Sequence, residues 1–231
     1  MIKIYALNIA GLTENDIAPC RSYISADRLK RASRFRFAAD RIRCITAEAL
    51  VRNILETEYG MNRESIRIIC DENGRPSLFV SSPERTGPVP DFNITHSGDW
   101  VICSVGTERS GIDVEMLTSA KESLAKGVLT PAEFSLWKHL PSDARSSAFT
   151  QYWTLKESYA KYRGLGLKLS FPNIETIPFD ESTRFIKGDP YVKLFSVPWD
   201  NCYSLSVCVP YDAEICPEIV HVLCGQGDFS L

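Results

Sequence analysis

Phe149 to Ser170 reads FTQYWTLKESYAKYRGLGLKLS, and the rest of the chain is organised around it. Trp153, Glu157 and Lys161 fall at i, i+4 and i+8, so they share one face of a predicted helix. Gly164 is where that helix should stop, because glycine takes the left-handed C-terminal conformation at little cost. Alone, Glu157 and Lys161 read as a solvated i,i+4 ion pair worth roughly 0.2–0.5 kcal/mol. Two further acidic residues change their weight. Gly111-Ile112-Asp113-Val114-Glu115 reads as a strand, in which Asp113 and Glu115 point one way while Ile112 and Val114 point the other. Two carboxylates on one side repel unless a cation sits between them.

Working outward, the 231 residues suffice for one good core or two small ones. With 44% hydrophobic and 24% charged residues, the composition is that of an ordinary globular protein. A net charge of −3 disfavours a whole-protein nucleic-acid binder. No apolar run is long enough to span a bilayer. Met1-Ile-Lys-Ile-Tyr5 enters a strand pattern without the order of a signal peptide, so a cytoplasmic location is expected. Eight cysteines without any C-x-x-C pair suggest reduced, mostly buried thiols rather than zinc or disulfides.

Lys3 to Ile9 reads as a strand, and Ser25-Ala-Asp27 as a helix start with Ser25 as N-cap. Arg28 and Arg31 lie on one face of that helix, which is either a solvated basic face or a phosphate site suited to guanidinium forks. Over 38–59, Ala47, Leu50, Val51, Ile54 and Leu55 form the apolar stripe of a longer helix that Gly60 ends. Ile66 to Cys70 is a short strand, followed by an Asn73-Gly74 turn, and 81–90 an exposed loop. Asp91 to Gly98 and Trp100 to Val105 are strands. Leu117 to Leu129 is a mixed, mobile segment, with Val128 and Leu129 as an exposed apolar patch suited to docking a partner helix. Thr130-Pro131-Ala132-Glu133 is a capping box that starts a helix. Runs within 174–179, 183–187, 191–195, 203–209 and 219–224 read as antiparallel strands, with a Gly188-Asp189 hairpin turn. The likeness of WVICSV to YSLSVCV suggests an internal duplication, with domains over 1–108 and 109–231.

Asp113, Glu115 and Glu157 are hard oxygen donors on two rigid elements, and such donors suit magnesium, which shares substrate phosphates. With the basic helix they point to phosphate chemistry at a metal. Residue types alone leave open a metal-dependent phosphodiesterase or nuclease, or a non-catalytic carrier-protein or RNA-binding module.

Several pieces together carry a resemblance. They are Gly74-Arg75-Pro76, Phe92-Asn93-Ile94-Thr95-His96-Ser97, Gly111-Ile-Asp113-Val-Glu115, Trp153-Thr-Leu-Lys156-Glu157-Ser-Tyr-Ala-Lys161 and Gly164-Leu-Gly166-Leu-Lys-Leu169. In this order and spacing the chain resembles a 4'-phosphopantetheinyl transferase of the Sfp type. The resemblance implies an α+β fold of two similar α/β subdomains related by a pseudo-twofold axis, with the active site in the cleft between them. It implies an enzyme of the holo-acyl-carrier-protein synthase type, a monomer without nucleic-acid or membrane partners. Its reaction would transfer 4'-phosphopantetheine from coenzyme A to a serine of an apo acyl or peptidyl carrier protein, releasing 3',5'-ADP. Asp113, Glu115 and Glu157 would hold magnesium, or manganese, on the pyrophosphate, with Glu157, directly or through a metal-bound water, as base and Lys161 as the catalytic cation that neutralises the pyrophosphate. Arg28, Arg31, Arg75, Thr95 and His96 would bind the nucleotide end, and Lys156 and Lys161 would also contact coenzyme A. Arginines at 28, 31 and 75 replace frequent lysines, Thr95 a serine, Cys44 a hydroxyl residue and Leu165 a lysine.

Overall fold

The computed structural model describes residues 1–79, 88–225 and 228–230. The expected loop over 81–90 therefore lies, for residues 81–87, outside the described residues. In chain order the elements are β1 (Ile2–Asn8), α1 (Ala26–Ala32), α2 (Ala38–Thr57), β2 (Arg67–Cys70), β3 (Pro76–Phe79), β4 (Asp91–Ser97), β5 (Trp100–Gly106) and β6 (Gly111–Met116). They continue with α3 (Glu122–Val128), α4 (Pro131–His139), α5 (Ala144–Arg163), β7 (Thr176–Pro178), β8 (Thr183–Ile186), β9 (Asp189–Val197), β10 (Tyr203–Pro210), β11 (Ile215–Gly225) and β12 (Asp228–Ser230). The chain divides into two compact units, one of residues Met1–Thr107 with Glu214–Leu231, the other of Glu108–Ala213.

The first unit is built on a sheet of order β12-β11-β1-β5-β4. Helix α2 packs on β4 and β5. The predicted stripe is its inner face: Ala47, Leu50, Val51, Ile54 and Leu55 are all buried, against Tyr5, Leu7, Phe92, Val101 and Cys103. Ser25 caps α1 by accepting the Arg28 N–H. The β2–β3 hairpin turns at Gly74, whose φ of 85° is in the left-handed region that glycine tolerates. The Asp71 carboxylate holds that turn by accepting from the Asn73 and Arg75 N–H groups, each at 2.9 Å.

The second unit is built on a sheet of order β6-β10-β9-β8-β7, with α5 packed on β6, β10 and β9. Its core gathers Trp137, Phe149, Leu155, Tyr159, Phe171, Leu194 and Cys208. The Thr130–Glu133 capping box forms as predicted. Gly188, with a φ of 85°, turns β8 into β9.

The two units repeat one topology. In the first, β1, α2 and the hairpin β4–β5 give the antiparallel neighbours β1-β5-β4. In the second, β6, α5 and the strands β9 and β10 give β6-β10-β9. The similar runs WVICSV and YSLSVCV are β5 and β10, the equivalent middle strands of these triplets.

Two expectations differ from the structure. The last strand does not extend the antiparallel run of residues 174–209. Strand β10 already has β6 on one side and β9 on the other, so β11 pairs instead with β1, in parallel, Ile4 opposite Ile219. Residues from Glu214 onward thus belong with the first unit rather than with 109–213. The segment before Thr130 is also not an exposed strap. It holds α3, whose residues Ala125 and Val128, with the adjoining Leu129, enter the second core. All eight cysteines are free thiols, and Cys20, Cys44, Cys103 and Cys208 are buried.

Candidate active site

The close approach of α5 to β6 makes the site of the second unit. Gly111 permits it, because a methyl group there would overlap the Ser158 carbonyl oxygen and the Tyr162 backbone. On the side of β6 and β10 that meets α5, Asp113 stands opposite Ser206 and Glu115 opposite Ser204. The Thr154 hydroxyl of α5 lies 2.8 Å from Ser206 Oγ and 3.0 Å from Ser204 Oγ. Glu157 and Lys161 stand one and two turns further along the same face. Gly164 ends the helix as predicted, with φ at 69°, while the Leu165 N–H closes onto the Ala160 carbonyl.

The Lys161 ammonium donates to Asp113 Oδ1 at 2.7 Å and to the Ile112 carbonyl at 3.0 Å. Asp113 is nearly fully buried, so this is a partly desolvated contact. The Glu157 carboxyl is pushed up to about 7. Burial is the main cause, the charges of Asp113 and Glu115 add to it, and Lys161 opposes it. The three carboxylates named from the sequence thus act on one another electrostatically.

Their chemistry fits a hard divalent cation, since all are oxygen donors and Glu157 carries charge reluctantly beside the other two. Among the described residues, no three His, Cys, Asp or Glu side chains are arranged as a ready metal site. One oxygen of Asp113 is engaged by Lys161, so a metal would have to share Asp113 with that ammonium. Beside Glu115 a cavity of about 240 Å³ is lined by Met116, Thr118, Leu124, Phe149, Thr150 and Trp153.

The remaining predicted residues lie in the first unit. Arg28 donates through Nε to Glu48 at 3.1 Å, and its Nη1 lies 3.9 Å from Cys44 Sγ. Cys44 on α2 therefore contacts the Arg28 guanidinium on α1. Arg31 is exposed on the same helix. Arg75 is mostly buried and pairs with Asp91 at 2.7 Å. Thr95 is buried on β4, and the next residue, His96, is exposed. Arg43, which sequence reasoning passed over, donates to the Gly98 carbonyl at 2.8 Å and so braces the turn that follows His96. Its signal was the place of Arg43 one residue before Cys44, on the first turns of α2.

Two sequence expectations are corrected here. Lys156 cannot reach coenzyme A through its ammonium in this structure. Its side chain is fully buried, and it donates to Glu133 Oε2 at 2.5 Å, the Val128 carbonyl at 2.8 Å and the Phe171 carbonyl at 3.0 Å. Val128 and Leu129 are core residues, 4% and 2% exposed, so neither presents a docking patch.

Residues 109–208 match the family model described as the 4'-phosphopantetheinyl transferase superfamily. Residues 13–108 match that of the 4'-phosphopantetheinyl transferase N-terminal region. The chain is 34% identical over 193 residues to the 4'-phosphopantetheinyl transferase HetI of Nostoc sp., covering 82% of this chain and 80% of that one. It is 27% identical over 216 residues to the 4'-phosphopantetheinyl transferase Sfp of Bacillus subtilis, covering 91% and 93%. A solved holo-(acyl-carrier-protein) synthase from Bacillus anthracis overlaps 44% of this chain and 93% of its own, at 23% identity and a TM-score of 0.38, a likeness too slight to bear on the site. The chain belongs to the 4'-phosphopantetheinyl transferase superfamily. It is an enzyme that transfers the 4'-phosphopantetheine group of coenzyme A to a carrier protein.

Proposed function

We propose that Asp113, Glu115 and Glu157 hold a divalent cation, magnesium or manganese, against the pyrophosphate of coenzyme A. The observation that carries this reading is the Glu157 carboxyl raised to about 7 by burial and by its two acidic neighbours. Such a group lowers its energy by taking up either a proton or a cation. When bound, the cation supplies charge neutralisation at phosphate oxygens. Lys161, already beside Asp113, places a further positive charge where the leaving pyrophosphate oxygen becomes more negative.

Glu157 takes the proton of the carrier serine as the serine oxygen bonds to the β-phosphorus. The bond from that phosphorus to the bridging oxygen breaks, and 3',5'-ADP leaves with the electron pair. A carboxylate held ionised beside Lys161 can accept a proton from a hydroxyl brought within hydrogen-bond reach. In the first unit, Arg28, Arg31, Arg75 and His96 bind the 3'-phosphate and adenine end. The cavity beside Glu115, apolar along Met116, Leu124, Phe149 and Trp153, takes the uncharged pantetheine arm. The test is incubation with coenzyme A, magnesium and an apo carrier protein, read by mass spectrometry. Wild-type protein adds one phosphopantetheine to the carrier and Asp113→Ala adds none. Transfer by Asp113→Ala at saturating magnesium would remove the assignment.

A further inference from the structure

Lys156 lies one residue before the proposed base and points away from it, into the interior of the second unit. All three of its ammonium protons are engaged, on Glu133 Oε2, the Val128 carbonyl and the Phe171 carbonyl. Glu133 is equally committed. Its Oε2 also accepts the Thr130 N–H at 2.9 Å, and its Oε1 accepts the Thr176 N–H at 2.9 Å and the Thr176 hydroxyl at 2.8 Å. One buried ion pair thus ties the end of α3, the start of α4, the chain at Phe171 and the start of β7 to the middle of α5.

A hydrophobic side chain could fill the same volume without specifying any of these connections. A fully satisfied polar network fixes one arrangement, because any sliding of α5 leaves buried donors and acceptors unmatched. On α5 that arrangement matters at the next residue. Glu157 and Lys161 must stay on the face that meets Asp113, and Gly111 lets the helix lie directly against β6 there.

We propose that Lys156 is a positioning residue for transfer: with Glu133 it fixes the register of α5, so that Glu157 and Lys161 are held against Asp113 and Glu115. The inference rests on the site assignment made above. It differs from the sequence expectation of a coenzyme A ligand, and the two make opposite predictions.

The test uses the full chain with K156M, E133Q and the E133Q/K156M double variant. The double variant keeps the experiment open if K156M fails to fold, since the amide introduced by E133Q can donate to a carbonyl that Lys156 leaves. For folded variants, kcat for carrier modification falls roughly tenfold or more, because Glu157 is displaced from its acceptor geometry. Coenzyme A affinity, measured by titration, stays within about twofold, because no ligand contact is removed. The double variant is no worse than the worse single one, as residues acting through one contact are not additive. A loss of coenzyme A affinity in K156M but not in E133Q would make Lys156 a ligand and overturn the inference. An unchanged kcat in the folded variants would confine the pair to stability and overturn it too. Asp113→Ala is measured alongside. Full activity there sinks the site assignment itself, whereas an inactive Asp113→Ala with an unaltered K156M sinks only the role of Lys156.

Discussion

Each unit buries a glutamate that anchors a cation from a neighbouring segment, and the two clusters end differently. In the first unit, Glu48 of α2 accepts from the Ser25 N–H and hydroxyl, from Arg52 Nε at 2.8 Å and from Arg28 Nε at 3.1 Å. In the second, Glu133 of α4 accepts from Thr130, Thr176 and Lys156. The lysine has three donors and all point inward, so nothing of it is left for a ligand. The arginine has five donors in a planar fork, of which Nε goes to Glu48 while Nη1 lies 3.9 Å from Cys44 Sγ. Arg28 keeps 15% of its side chain exposed, whereas Lys156 keeps none. Pairing with a buried carboxylate therefore aims an arginine but uses up a lysine.

The strongest way to break this contrast is at Gly111, on which the second unit's close packing depends. Gly111→Ala should destabilise the protein by about 3 kcal/mol or more, since the obstruction is helix backbone that cannot rotate aside. Thermal melting decides it, and a shift of only a degree or two would show that α5 can move off β6 cheaply. Next is Asp113→Ala, which should cut transfer by at least about 100-fold, with a smaller loss of melting temperature because Lys161 loses a buried partner. Unfolding of Asp113→Ala at the assay temperature would mean that Asp113 serves the fold before it serves transfer.

In the first unit the contrast is sharpened by nucleotide selectivity. Wild-type protein should prefer coenzyme A over 3'-dephospho-coenzyme A, and Arg28→Ala should narrow that preference roughly 10- to 100-fold, the range of a hydrogen bond to a charged group. Identical kinetics for the two nucleotides in the wild type would make Arg28 a structural partner of Glu48 and nothing more. The smallest effect concerns Glu157. Its folded carboxyl lies near 7, above the unfolded value of 4.5, so its share of stability is complete below about 4.5 and is lost as pH rises through about 7. Magnesium, which favours the ionised form, should therefore raise the melting temperature more at pH 8 than at pH 6. Equal increments at both pH values would separate Glu157 from the metal site.

Much of the frame was readable from local pattern. The stripe on α2, the Thr130 capping box and the Gly164 stop each follow from residues within one or two turns of each other. Asp113 and Glu115 followed from strand alternation, and their mutual effect with Glu157 is present in the structure. What was hidden depends on partners far apart in sequence. Lys156 carries the same motif spacing whether it faces ligand or core, and only Glu133 and the Phe171 carbonyl decide between them. Helix α3 is seven residues long and contains Gly127, too little periodicity to stand out. The return of β11 to β1 is invisible locally, since its apolar residues suit either sheet.

That return has a consequence for synthesis at the ribosome. The neighbours of β1 are β5 and β11, so one flank of β1 gains its partner only when residues from Ile215 onward have emerged. The second unit, complete by Ala213, is by then fully available. Domains fold as units during translation, and pairings that close long loops come late. The later-made unit should therefore mature first, with the earlier one waiting for its last parallel strand. Pulse-labelled hydrogen exchange during refolding would register this as protection of β6, β9 and β10 before β1. Protection of β1 ahead of those strands would reverse the order.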